Sequence, residues 1–160
     1  MENLLSKESV KRVLKVLNDF DKSIKVENLD TSARTAKDAA ESLKTEIGSI
    51  VKSLLLRRQS SFLLCLVAGD KRCSLNKIKK LLNEKDVSMA NADQVKEITG
   101  FTIGGVSPVG LINKLEILID DKLNRFQDIF AAAGHPNAVF RVDLNSLNKI
   151  TKGKIMDISE

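Results

Sequence analysis

The stretch Ser49–Ala68, SIVKSLLLRRQSSFLLCLVA, decides the fold. It holds two strongly apolar runs, 49–57 and 61–68, parted by the polar Arg58-Gln59-Ser60. Apolar runs of this length with a polar break between them read as the two strands of a β-hairpin crossing the core. Gly69-Asp70 then breaks the pattern. After it, residues 74–83 put Leu75, Ile78, Leu81 and Leu82 on one helical face, with Lys77, Lys79 and Lys80 around the other. Before the hairpin, Thr35 with Asp38 three residues on is a capping-box arrangement that predicts a helix over 36–45. Val10, Val13, Leu14 and Leu17 predict a further helix over about 6–18, and Ile24–Leu29 reads as a short strand.

Beyond the lysine-rich helix, the pattern predicts a helix at 91–99 closed by Gly100, then a shaped loop, TIGGVSPVG, at 102–110. Strands are expected at 111–120, 126–132, 139–142 and 154–158. A loop, AGHPNAV, falls at 133–139 and a helix at 143–150. Strands and helices intermix without a regular βαβ alternation. The expected architecture is therefore α/β of the α+β type: a mixed sheet with helices packed outside, in one domain over residues 1–160.

The composition agrees. A chain of 160 residues suits about one domain, and 42% hydrophobic with 29% charged residues is the balance of a globular protein. The run Phe62–Ala68 is too short to cross a bilayer, which takes about 20 apolar residues, so no membrane role is expected. The opening MENLLSKESVKR has no apolar core of a signal peptide. Two cysteines, Cys65 and Cys73, with one histidine supply no structural metal set, so neither metal nor cofactor is expected. Free thiols fit a reducing cytoplasm. In Cys73 the preceding Lys71 and Arg72 are expected to lower the thiol pKa. The net charge of +5 is compatible with a nucleic-acid partner. With no Trp or Tyr and six Phe, base stacking along a single strand is disfavoured.

Three features carry potential chemistry. Lys52 lies between Ile50-Val51 and Leu54-Leu55-Leu56; a buried ammonium must reach solvent or meet an anion. It is either a pocket-wall lysine that holds a phosphate or substrate group, or an edge-strand lysine that discourages aggregation. The loop Gly104-Gly105-Val106-Ser107-Pro108 allows close approach of backbone to a ligand, with Pro108 stiffening the turn. It is either such a cradle or a structural turn, and no Gly-Lys-Ser/Thr follows to make it a Walker loop. His135, after Gly134 and before Pro136, is either a positioned side chain or an ordinary surface histidine; no G-x-S-x-G elbow accompanies it.

The ordered segments TAKDAAESL, IVKSLLL, LVAGDKRCSLNKI, ITGFTIGGVSPVG and AAAGHPNAVF together resemble the YbaK/ProX deacylases, freestanding relatives of the editing domain of bacterial prolyl-tRNA synthetases. The resemblance runs from about residue 24 to 158. It implies a mixed sheet curled toward a barrel with helices around it, and hydrolysis of the ester that joins a wrong amino acid to the tRNA 3′ adenosine. Lys52 then corresponds to the family's functional lysine, at the terminal phosphate or the reacting end. Gly104, with Gly105, Val106 and Ser107, corresponds to the loop whose backbone holds the aminoacyl group and places a water, and Pro108 to its rigid proline. Gly134 and His135 match the Gly-His-Pro of several editing subgroups. That histidine tilts the expected substrate toward alanine, serine or threonine, with cysteine the remaining candidate. Asp70 is expected to serve a turn. The implied partners are the aminoacylated 3′ end of tRNA and, as a further candidate, prolyl-tRNA synthetase. Arg57-Arg58, Lys71-Arg72 and Lys77–Lys80 either steer the acceptor stem or are solvated faces. The alternative function on the same fold is a non-catalytic module that binds tRNA or a synthetase.

Overall fold

In a computed structural model describing residues 4–30 and 35–160, the hairpin forms as its apolar runs dictate. Strand β2, Val51–Arg58, pairs antiparallel with β3, Ser61–Ala68, in register from Val51 opposite Ala68 to Arg58 opposite Ser61. Gln59 turns the chain at φ +53°. The N-terminal helix α1 spans Glu8–Phe20, two residues later than its pattern suggests. Strand β1 is Val26–Asn28 and helix α2 is Ala36–Leu43, capped by the Thr35 hydroxyl, which accepts from the Asp38 N–H at 3.1 Å. A reciprocal capping box stands instead on helix α4, Ala92–Thr99, between Asn91 and Gln94. Helix α3 is Leu75–Leu82 and helix α5 is Leu144–Thr151.

Among the described residues the strands form two sheets. The larger has the order β4-β2-β3-β5-β8, with β4 at Val87–Met89, β5 at Glu116–Asp120 and β8 at Lys154–Met156. Its β3–β5 and β5–β8 pairings are parallel and the others antiparallel, so the sheet is mixed. The smaller, β1-β7-β6, is antiparallel, with β6 at Ile129–His135 and β7 at Ala138–Val142. A single parallel bridge, Ile50 to Phe130, joins them. The α/β class with a mixed sheet and surrounding helices holds; the barrel does not close.

The pleat explains how the hairpin is covered on both sides. Val51, Leu55, Leu64, Leu66 and Ala68 share one face and pack with Ala131, Phe140 and Val142 of the smaller sheet and Val10, Val13 and Leu17 of α1. Leu56, Leu63, Cys65 and Val67 share the other and pack with Ile78 of α3, Val87 and Ile158. Each fully buried aliphatic side chain contributes roughly 1.5–3 kcal/mol relative to exposure.

Three expectations change. Residues 111–115 are not strand; β5 starts at Glu116, because the loop's end is held by the Arg12 guanidinium on the Gly110 carbonyl (3.1 Å) and by the Asn113 amide on the Ile98 carbonyl (2.9 Å). The 126–132 strand instead starts at Ile129 and continues through the small residues to His135, with a bulge between Ala132 and His135, so AGHPNAV is mostly strand. Strand β4 goes unsignalled: three residues are too few to show alternation.

Gly134 has φ +93°, and a Cβ there would stand 2.7 Å from the Ser9 carbonyl oxygen of α1. Gly134→Ala is accordingly expected to cost about 2 kcal/mol and lower Tm by roughly 4–8 °C in a thermal melt. An unchanged Tm would contradict the close packing of β6 on α1.

Candidate functional site

Strand β4 pairs β2 only over Leu56–Arg58, and just past it the Ala90 N–H donates to the Leu55 carbonyl (3.0 Å). Toward its start, β2 runs on beyond β4 to the bridge with β6. Along that edge lies a cavity of about 390 Å³. Ile50 and Val51 to Leu55 of β2 form one wall, Ala36 and Ala39 of α2 a second, and Phe130, Ala131, Ala132, Ala138 and Val139 of the smaller sheet a third. Ile103, Gly104 and Val106 close it from the glycine loop, with Met89, Ala90 and Val95 beside them. The volume lies near the lower end for small-ligand sites, and the predominantly apolar lining is typical of them.

Lys52 and Gly104 therefore stand on the same cavity. Lys52 has the pleat parity of Leu54 and Leu56, so its side chain leaves the strand on the face packed by α3; its ammonium donates to the Lys71 carbonyl. Burial holds the Lys52 pKa below the ordinary lysine value, partly opposed by the nearby charges of Asp70, Cys73 and Asp120. Asp70 is clamped by a two-point ion pair from Arg125, at 2.8 and 2.7 Å. Those hydrogen bonds hold its carboxyl below the usual carboxylate range. Asp120, fully buried, accepts from the Ala68 N–H (3.0 Å), the Ser159 hydroxyl (2.8 Å) and the Lys122 N–H (3.1 Å). Lys52 thus sits at the boundary between an apolar hollow and an acidic frame.

In the loop, Gly104 has φ +93°, a conformation that side chains disfavour. Gly105 is pressed against β6: a Cβ on it would lie 3.0 Å from the His135 Cα. Val106 lines the cavity, whereas Ser107 is fully buried and its hydroxyl accepts from the Val109 N–H at 3.2 Å. Pro108 borders a second, shallower hollow beside Val16 and Ile150. Gly134 packs on α1 and Phe101. His135 accepts at Nδ1 from the Asn137 N–H (3.0 Å); it is Pro136, not His135, that stands on the wall. Of the eight residues singled out in the sequence, Lys52, Gly104 and Val106 meet at the cavity. Gly105, Ser107, Pro108, Gly134 and His135 lie behind it and shape the loop and strand that bound it.

Several contributors have weak sequence signals. The room in the cavity comes from the small side chains of Ala39, Ala131 and Ala138, for which the alanine pairs and runs at 39–40 and 131–133 are the only trace. Arg12 of α1 donates to the carbonyls of Gly110 (3.1 Å) and Gly100 (2.9 Å) and lies 4.8 Å over the Phe101 ring, clamping both ends of the loop. Nothing in local spacing marks it.

The remaining candidates resolve individually. The Cys73 thiol is lowered by a hydrogen bond with Cys65 and then by the Lys52 charge, not by Lys71 or Arg72; Cys65 is raised by that bond and by burial. Arg57 pairs with Asp86 at 2.7 Å, Arg58 with Glu84 and Glu116, and Lys77 with Asp157 at 2.9 Å. Among the described residues no group of three His, Cys, Asp or Glu side chains is placed to hold a metal ion, and no helix is long and apolar enough to cross a membrane.

Comparison with known proteins places this geometry. Residues 30–150 match the pattern of the aminoacyl-tRNA editing domain. YwhH of Bacillus subtilis (strain 168), an uncharacterized protein, is 30% identical over 92% of this chain and 94% of its own length. The proline–tRNA ligase of Kosmotoga olearia is 37% identical over 54% of this chain, a match spanning 15% of the ligase. The crystal structure of a candidate trans-editing enzyme for prolyl tRNA synthetase superposes with a TM-score of 0.89 at 36% identity, over 96% of this chain and 98% of the other. With its editing-domain pattern, its likeness to a segment of proline–tRNA ligases and its shared fold, the chain belongs to the aminoacyl-tRNA editing domain family.

Proposed function

We propose that the protein is a trans-editing deacylase that hydrolyses the ester of a mischarged tRNA carrying a small amino acid: alanine, serine or threonine, with cysteine the remaining candidate. The observation that carries this reading is the apolar cavity bounded by the Lys52-bearing edge of β2 and by the Gly104 loop. The aminoacyl group enters the cavity, and its size excludes larger side chains. The terminal nucleotide lies at the mouth, in the cytoplasm where charged tRNA resides. There Lys52 exchanges its neutral carbonyl partner for the phosphate or the reacting end.

An aminoacyl ester is already activated, so positioning and oriented backbone dipoles supply most of the catalysis. A water, polarised by the substrate's neighbouring ribose hydroxyl or by the Gly104–Pro108 backbone, adds to the ester carbonyl. The new C–O bond forms to water, the bond to the ribose oxygen breaks, and the ribose oxygen takes a proton. Free amino acid and uncharged tRNA leave. This needs no metal, cofactor or dedicated protein base. Gly105, Ser107, Pro108, Gly134 and His135 hold the loop in place, and residues 1–160 act as one editing domain. Prolyl-tRNA synthetase is the proposed source of the errors and a candidate partner.

The test is a deacylation panel of alanyl-, seryl-, threonyl- and cysteinyl-tRNA. Release of at least one small amino acid well above spontaneous hydrolysis is expected. Binding of tRNA with no release of any amino acid would overturn the reading in favour of a non-catalytic tRNA-binding module.

A further inference from the structure

The cavity wall is apolar apart from three residues, Thr35, Lys52 and Ser53. The Thr35 hydroxyl is occupied as the cap of α2, accepting from the Asp38 N–H, and the Lys52 ammonium donates to the Lys71 carbonyl. Ser53 differs from both. Its Oγ is shielded from bulk solvent and has no hydrogen-bond partner among the described residues.

The strand explains the position. Ser53 shares pleat parity with Val51 and Leu55, so its side chain projects on the face that packs toward the smaller sheet. The Leu55 carbonyl points away from β3, since it accepts from Ala90; by the same alternation, the Ser53 N–H and carbonyl also point to the edge that β4 leaves uncovered. Unpartnered polar capacity therefore concentrates at one residue of a cavity lined mainly by apolar side chains.

A buried hydroxyl without a partner is costly, and a ligand that supplies one recovers that cost. A rotation of χ1 between staggered wells is all that Ser53 needs to meet an incoming group. An alanyl side chain offers no polar atom. A seryl or threonyl side chain offers a hydroxyl that can both donate and accept.

Resting on the editing reading above, we infer that Ser53 is a specificity residue: its hydroxyl pairs with the side-chain hydroxyl of a seryl or threonyl group and makes those esters preferred over alanyl ester.

The experiment compares kcat/KM on seryl-, threonyl- and alanyl-tRNA for the wild type, Ser53→Ala and the near-isosteric pair Ser53→Thr and Ser53→Val. Ser53→Ala is expected to lower the seryl-to-alanyl preference about tenfold, the worth of roughly one hydrogen bond, with alanyl-tRNA turnover changed less than about twofold. Ser53→Thr keeps the preference and Ser53→Val loses it, although the two have nearly the same shape; the ratio of substrates within each variant is read, so a difference in their folding stability does not enter. Equal losses on all three substrates, an unchanged ratio in Ser53→Ala, or matching behaviour of the Thr and Val variants would overturn the inference. So would a wild type that deacylates alanyl-tRNA but neither hydroxyl-bearing substrate, a result that leaves the editing function standing. A wild type that deacylates none of the small aminoacyl-tRNAs removes that function itself, and this inference with it.

Discussion

Lys52→Ala is expected to lower deacylation of a mischarged tRNA at least about tenfold, equivalent to ~1.4 kcal/mol of transition-state stabilisation. Burial holds the Lys52 pKa down, so the charged form is less favourable in the folded chain than in the unfolded one. The sign follows directly: a lysine with a depressed folded pKa binds its proton less readily in the native state, so the folded state gives up stability as pH falls through that window. Lys52→Met keeps the length of the stem among Leu54, Leu56 and their neighbours and removes the charge. Its Tm is therefore expected to equal or exceed that of the wild type, while its activity falls as in Lys52→Ala. The contrast separates the two sequence-level readings of this residue. An aggregation-blocking edge lysine would leave deacylation intact and lower solubility. A lysine that acts at the site would lose turnover in a well-folded protein. Unchanged activity in Lys52→Met would remove Lys52 from the mechanism.

Local rules made the hairpin legible, and tertiary contacts decided the rest. The runs at 49–57 and 61–68 are apolar on both faces, so no alternative placement leaves them out of the core. Thr35 and Gly100 mark helix ends because the capping chemistry is contained within three or four residues. Leu111, Ile112 and Leu115 carry the same apolar signal as a strand, yet no partner strand reaches them, and Ile112 stays exposed. The smaller sheet carries a bulge in a run of small residues, where propensity is weak and Gly134 packs against α1. The candidate site was legible in the same uneven way. Lys52 stands out as a charge in an apolar strand and Gly104 as part of a glycine pair. Ser53, Ala39 and Ala138 say nothing individually; they become walls only when four elements meet. The clamp by Arg12 spans 98 residues of sequence to Gly110, a distance over which no periodicity carries information.

A valine at Gly104 is expected to cost about a hundredfold in deacylation, equivalent to ~2.7 kcal/mol. Two physical effects act there, and two variants separate them. The backbone at φ +93° penalises any Cβ by about 1–3 kcal/mol, and the β-branched valine more than alanine. Valine adds two methyl groups at a position on the cavity wall between Ile103 and Val106, so it occupies volume the aminoacyl group needs. The loop cannot readily move aside. Arg12 holds the Gly100 and Gly110 carbonyls, Gly105 lies against the His135 backbone, and the Ser107 hydroxyl fastens the turn to Val109. Alanine should thus give a partial loss of activity and a lowered Tm, while valine, with a Tm lower still, should lose far more activity when both are assayed well below their melting temperatures. Kinetics on the best substrate of the panel, paired with thermal melts of both variants, checks this. Equal activity losses in the two would assign the effect to backbone conformation alone, and full activity in Gly104→Val would take the loop out of the substrate's path.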